Sequence, residues 1–144
     1  MTPQLVPLCT AEVTLAAPIV VGLGPSGLRV VIEVEEMTIT GDRVRGQLKG
    51  HAAADWVTLV DNVASVDVRA TIATDDGAII LCEYKGRIDF TNGAGTAPVY
   101  VAPLFETGDE RYKWLNLVQG VGVGTTTDNG TKLHYEWFEL KAPA

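Results

Sequence analysis

Residues Gly50–Gly86 read GHAAADWVTLVDNVASVDVRATIATDDGAIILCEYKG, two apolar runs joined by the turn Thr74–Gly77. Apolar and polar residues alternate with period two, the pattern of extended strands, and Thr-Asp-Asp-Gly supplies the chemistry of a chain reversal. The same runs carry Asp55, Asp67, Arg69 and Tyr84 on segments otherwise built for a hydrophobic interior. A strand-turn-strand unit and a candidate site therefore coincide.

Moving outward, alternation recurs along the chain while sustained helical stripes do not, and Val, Ile and Thr are punctuated by fifteen glycines. Strands are expected at 5–15, 28–39, 44–49, 56–60, 66–73, 78–84, 98–105, 112–123 and 133–140, with Pro7 marking an edge or a bulge in the first. Turns fall at Gly24–Gly27, Thr40–Arg43, Thr74–Gly77, Glu106–Asp109 and Asp128–Gly130. So many strands without a covering helix must stack or close, and closure also removes exposed edges. The expected fold is all-β, a compact antiparallel β-barrel occupying residues 1–144 as one domain. The long polar interval Asp89–Ala97, DFTNGAGTA, is the candidate for a loop over a barrel mouth.

Composition narrows the partners. Eleven basic against eighteen acidic residues give a net charge of −7 with scattered cations, which argues against nucleic acid. The N-terminal stretch lacks a basic start and an apolar run long enough to span a bilayer, so no membrane association and a cytoplasmic location are expected. Cys9 and Cys82 sit in apolar runs and read as buried free thiols.

Three strands carry polar groups on their faces. In Val66–Ala73 alternation puts Asp67, Arg69 and Thr71 on one side and Val68, Ala70 and Ile72 on the other. Alternation alone favours solvent for the polar side; the alternative is an interior carboxylate–guanidinium pair presented to a ligand. Tyr112, Trp114 and Asn116 share a face of the expected strand 112–123, either as a pocket wall or with Trp114 in the core. In residues 133–140, Leu133, Tyr135, Trp137 and Glu139 face away from His134, Glu136, Phe138 and Leu140.

The missing motifs constrain the chemistry. Ser26 and Ser65 lie outside any nucleophile elbow, and His51 and His134 have no second ligand at metal spacing. Gly22–Gly27, GLGPSG, has the wrong spacing for a dinucleotide loop and precedes a strand. No cofactor and no metal are expected. Chemistry here falls to carboxylates, Tyr, Arg and Asn, which means proton transfer and oxyanion stabilisation.

The series VGLGPSGLRVVI, GDRVRGQLKG, AADW, LVDNVASVDVRATIATDDGAII, YKGR and FETGDERYKWLN followed by a glycine-rich strand resembles the DUF3237 family, also called UPF0311. The resemblance covers nearly the whole chain and implies a compact antiparallel barrel, often self-associating, in small-molecule metabolism, with no settled mechanism. It singles out Asp55, Trp56, Asp67, Arg69, Asp75, Asp76, Gly77, Tyr112, Trp114 and Asn116, of which Asp75, Asp76 and Gly77 are explained as a turn, and it shifts Asp67 and Arg69 toward the interior. The chain departs from the family pattern at Glu35–Glu36 and at HAAADW, where Glu35 or His51 at the mouth would alter ligand choice.

The leading expectation is a cofactor-independent isomerase, cyclase or lyase acting on a carbonyl or aromatic metabolite. Asp67 or Asp55 moves a proton, Arg69 and Asn116 stabilise an enolate, and Tyr84, Tyr112, Trp114 and Trp56 hold the ring. The alternatives are a non-catalytic small-molecule carrier barrel and a structural module filled by Trp56, Trp114 and Trp137. A homo-oligomer, dimer or higher, is expected from the resemblance.

Overall fold

The computed structural model describes residues Met1–Ala144 and contains eleven strands. They are β1 (Gln4–Leu15), β2 (Ile19–Gly24), β3 (Gly27–Thr40), β4 (Arg45–Leu48), β5 (Ala54–Val60), β6 (Val63–Thr74), β7 (Ile79–Asp89), β8 (Val99–Val101), β9 (Leu104–Glu106), β10 (Gly120–Thr127) and β11 (Lys132–Lys141). Eight of them close a barrel in the order β1-β3-β5-β6-β7-β8-β10-β11 and back to β1, every pairing antiparallel. The expected barrel is thus the observed architecture. β4 prolongs the position of β5 between β3 and β6, and β9 prolongs that of β8 beside β7.

Alternation decides what faces inward. On β6, Ala64, Val66, Val68, Ala70 and Ile72 are buried, while Ser65, Asp67, Arg69 and Thr71 point outward. Two bulges keep this pattern in phase with the barrel. One follows Pro7 in β1, as expected of that proline, and the other inserts Glu35 into β3, so that Glu35 and Glu36 both reach solvent while Val34 and Met37 stay inside. Cys9 and Cys82 are buried and free, as expected.

The middle of the barrel is filled by rings. Tyr84, Phe105, Tyr135 and Trp137 pack at centroid distances of 5.2 to 6.0 Å, mostly edge to face. The Trp137 indole N–H is buried among them without a hydrogen-bond acceptor. Their space comes from β10, where Gly122 lies opposite Trp137 and Gly124 opposite Tyr135. A Cβ at either glycine would run into the ring beside it.

Residues 120–123 are strand as expected, at the start of β10, but residues 112–119 depart from expectation. Instead of a strand, Glu110–Leu117 forms a 3₁₀ helix that closes the barrel end at the β6–β7 turn. Asp109 caps it by accepting the Arg111 backbone N–H, and Leu115 is its buried plug. Residues 98–105 form two short strands rather than one, and β2 was not anticipated.

Candidate active site

Opposite the helical plug, at the end where β6 begins and β7 finishes, the barrel keeps a cavity of about 130 Å³. Most of its wall is apolar, including Leu15, Ile32, Val57, Val66, Ile88, Val99 and Leu133. The polar groups on it are Asp55, Tyr135 and Thr126, and no Lys, Arg or His lines it. Phe90, Ala94 and Gly95 form part of the wall, so the interval Asp89–Ala97 does lie against the mouth. Asp89 orders the start of that loop by accepting from the Thr91 backbone N–H and hydroxyl, and Gly93 and Gly95 turn it with positive φ.

Asp55 is the charged residue on the wall of this cavity. It pairs with Ile32 on one side and Val68 on the other, both on interior positions, and is only 8% exposed. Its Oδ1 accepts the Asp67 backbone N–H at 2.9 Å. Burial pushes its pKa from the usual carboxylate range up to about 6; the Asp67 amide opposes the rise and the nearby Asp67 charge adds to it. Asp55 therefore changes protonation state close to neutral pH.

Tyr135 and Tyr84 complete the polar interior. Their rings meet edge to face at 5.4 Å, and both ionise well above the ordinary phenol range, chiefly because burial disfavours phenolate, with the Asp55 charge also contributing. Both phenols stay protonated, and Tyr135, on the cavity wall with Asp55, can donate to an oxygen that gains charge. They cannot themselves act as bases near neutrality.

Of the residues expected at the site, Asp55 and Tyr84 are in the interior, and the others are elsewhere. Asp67 and Arg69 are on the outer face of β6, where Arg69 lies 5.5 Å from the Trp56 ring centre. The solvent assignment from alternation was right, and the shift toward the interior is overturned. Trp56 is outward too, on the strand position next to inward Asp55. Tyr112, Trp114 and Asn116 belong to the helical plug at the far end. Tyr112 donates to Asp76 at 2.9 Å, and Trp114 stacks under Arg43 at 4.6 Å. Asn116 exchanges two hydrogen bonds with the Thr107 backbone, at 2.8 and 2.9 Å. Glu35 and His51 line an outer groove with Gln47 rather than the mouth. Tyr135 was not singled out, although its alternation with inward Leu133 and Trp137 carried the signal.

Three comparisons frame this geometry. The family model described as "Protein of unknown function (DUF3237)" matches residues 3–140. The chain is similar to a β-barrel-like protein of Acinetobacter baumannii AYE, with 26% identity over 98% of each chain and a TM-score of 0.85. It is similar to an enzyme from Penicillium herquei, with 25% identity over 96% of each chain and a TM-score of 0.73. A protein of unknown function from Clostridium acetobutylicum shares the fold at 18% identity and a TM-score of 0.85, covering 97% of this chain and all of that one. No curated protein matches.

Proposed function

We propose, from the premise that the chain belongs to the DUF3237 family, that it is a cofactor-independent isomerase, cyclase or lyase whose acid–base group is Asp55. The observation that carries this reading is a carboxyl at the wall of an apolar cavity, held at a pKa of about 6 by burial. Such a group takes a proton and returns it near neutral pH, which is what these reaction classes require. The similarity to a Penicillium herquei protein described as an enzyme supports catalysis over a purely structural role.

In the proposed mechanism a small substrate enters past Phe90 and the 89–97 loop. Asp55, fixed through Oδ1 by the Asp67 amide, removes a proton with its carboxylate. The electrons move onto a substrate oxygen, to which Tyr135 donates with Tyr84 behind it. Protonated Asp55 then delivers the proton to the product or to the leaving group, so no electrons are exchanged with an outside acceptor. Arg69 and Asn116 have no part in this scheme, since neither reaches the cavity. Because the wall carries no cation, a phosphate or carboxylate on the substrate would lose its hydration without a counter-charge. The substrate is therefore an uncharged, largely apolar carbonyl or phenolic compound.

The test is to incubate purified protein in trace amount with small-molecule extract from cells deleted for its gene, following the extract by liquid chromatography and mass spectrometry. Conversion of a neutral compound over many equivalents, abolished in Asp55→Asn, supports the enzyme; the loss of a general base costs on the order of 10²–10⁴ in rate. A second reading is a carrier, favoured by a barrel plugged at one end with an apolar cavity at the other. In that case a compound is retained stoichiometrically and unconverted, and Asp55→Asn changes affinity alone.

A further inference from the structure

We infer that Arg29, on the outer side of β3, is a positioning residue for Asp55 that acts through the Trp56 carbonyl, a role that rests on the reading of Asp55 as the acid–base group. The β5–β6 ladder pairs Ala54 with Arg69 and Asp55 with Val68, then resumes at Thr58 and Ser65 in the same register. No residue is inserted, yet the pairing of Trp56 with Asp67 is missing. Counting back from Val60 and Val63, which flank the two-residue turn, hydrogen-bonded pairs fall at Thr58–Ser65 and then at Trp56–Asp67. In an unbroken ladder the Asp67 N–H would therefore donate to the Trp56 carbonyl. Instead each group is paired with a side chain. The Asp67 N–H donates to Asp55 Oδ1 at 2.9 Å, and the Trp56 carbonyl accepts Arg29 Nη1 at 3.1 Å. One ladder bond is opened beside the cavity, and its donor is handed to Asp55.

The Trp56 carbonyl is the competitor that decides where this amide points. An ionised carboxylate holds an amide donor more strongly than a carbonyl does, but a protonated carboxyl loses that advantage. A base that passes through its protonated form would then release the amide to Trp56 in every cycle, and the carboxyl would be free to swing. Arg29 engages the carbonyl with a donor that stays charged throughout the range in which Asp55 titrates, and holds it away from the amide. It does so from outside the barrel. Arg29 pairs with Thr58, while Ile32, three residues on, lines the cavity and pairs with Asp55. Inside, Asp55 is faced by Tyr84 of β7 and Tyr135 of β11; across the ladder stands Asp67, and Glu33 and Arg69 flank Ala54 on the outer side. The charge that bears on Asp55 is that of Asp67, so Arg29 works through the carbonyl and not through its own field.

The test is an NMR titration of the full chain, labelled with carbon-13 and nitrogen-15, from about pH 4 to about pH 8. Wild type is compared with Arg29→Met and with Arg69→Ala, which removes an outer cation that has no bond to the ladder. In the wild type the Asp67 amide proton is expected to follow the Asp55 carboxyl carbon through one midpoint at about 6. In Arg29→Met the amide can return to the Trp56 carbonyl whenever Asp55 is protonated, and that extra bond favours the protonated form. The Asp55 midpoint is then expected to rise, its proton affinity by roughly tenfold, the net worth of one hydrogen bond. Arg69→Ala is expected to leave it in place. An unchanged or lowered midpoint in Arg29→Met, or an equal rise in both variants, would overturn the proposal. So would a wild-type Asp67 amide that ignores the Asp55 titration, a result that needs no variant to fold. A wild-type Asp55 midpoint at about pH 4 removes the acid–base reading and this role with it, whereas the other adverse outcomes remove the role alone.

Discussion

Asp55 ties a stability prediction to the proposed chemistry in one residue. Its folded pKa of about 6 exceeds the unfolded value near 3.9, so the folded state favours the protonated form. Below about pH 4 the carboxyl is neutral in both states and costs nothing; as pH rises toward 6 the unfolded chain ionises first, and stability falls. Above pH 6 the full penalty is in place, on the order of 2–3 kcal/mol. Asp55→Asn keeps an oxygen for the Asp67 amide and removes the ionisation. Thermal unfolding of this variant is expected to rise relative to wild type at pH 7.5 and to match it near pH 4, while turnover is lost. A variant that tracks wild type at both pH values would show that Asp55 ionises as a solvated carboxylate. Arg69→Ala serves as the contrasting residue: an exposed guanidinium over Trp56 is worth about 0.5–1 kcal/mol, and the change leaves ligand conversion and its pH profile untouched.

At the scale of elements, the 3₁₀ helix and β10 show two ways in which local pattern and tertiary packing divide the work. Alternating Tyr112, Trp114 and Asn116 looked like a strand face because period two and a short 3₁₀ run are hard to separate over six residues. What decides the helix is the Asp109 cap and the Asn116–Thr107 bonds, the second of which joins residues nine apart and is invisible to periodicity. Asn116→Ala is expected to cost about 1–3 kcal/mol in denaturant unfolding and to leave the protonation of Asp55 unchanged. A selective loss of turnover without loss of stability would return Asn116 to the site. In β10 the glycines were legible as a glycine-rich strand, but their purpose appears only when β11 sets Trp137 and Tyr135 against them. Gly122→Val forces a side chain into the Trp137 ring, and its cost is expected at about 3 kcal/mol or more, read as a shift of the urea midpoint.

The whole molecule is a barrel filled for half its length. Closure, strand order in the Gly50–Gly86 unit and the buried thiols were readable because alternation and turn chemistry are local; the inward turn of Asp55 was not, since AAADW lacks a clean alternation and the residue's face is set by pairing with Ile32 and Val68. The same limit misplaced Arg69, where family likeness outweighed a correct reading of alternation. Two alanines on the inner face of β6 now separate the empty half from the packed one. Ala64 lines the cavity, whereas Ala70, paired with Cys82, is buried away from it. Ala64→Val places two methyl groups in vacant space and is expected to raise stability by about 1 kcal/mol while competing with ligand. Ala70→Val inserts the same volume into a packed interior and is expected to lower stability by about 1–3 kcal/mol. Thermal unfolding of the pair checks the opposite signs. If both substitutions destabilise alike, the mouth half is packed as tightly as the rest, and the barrel has no room to hold a substrate beside Asp55.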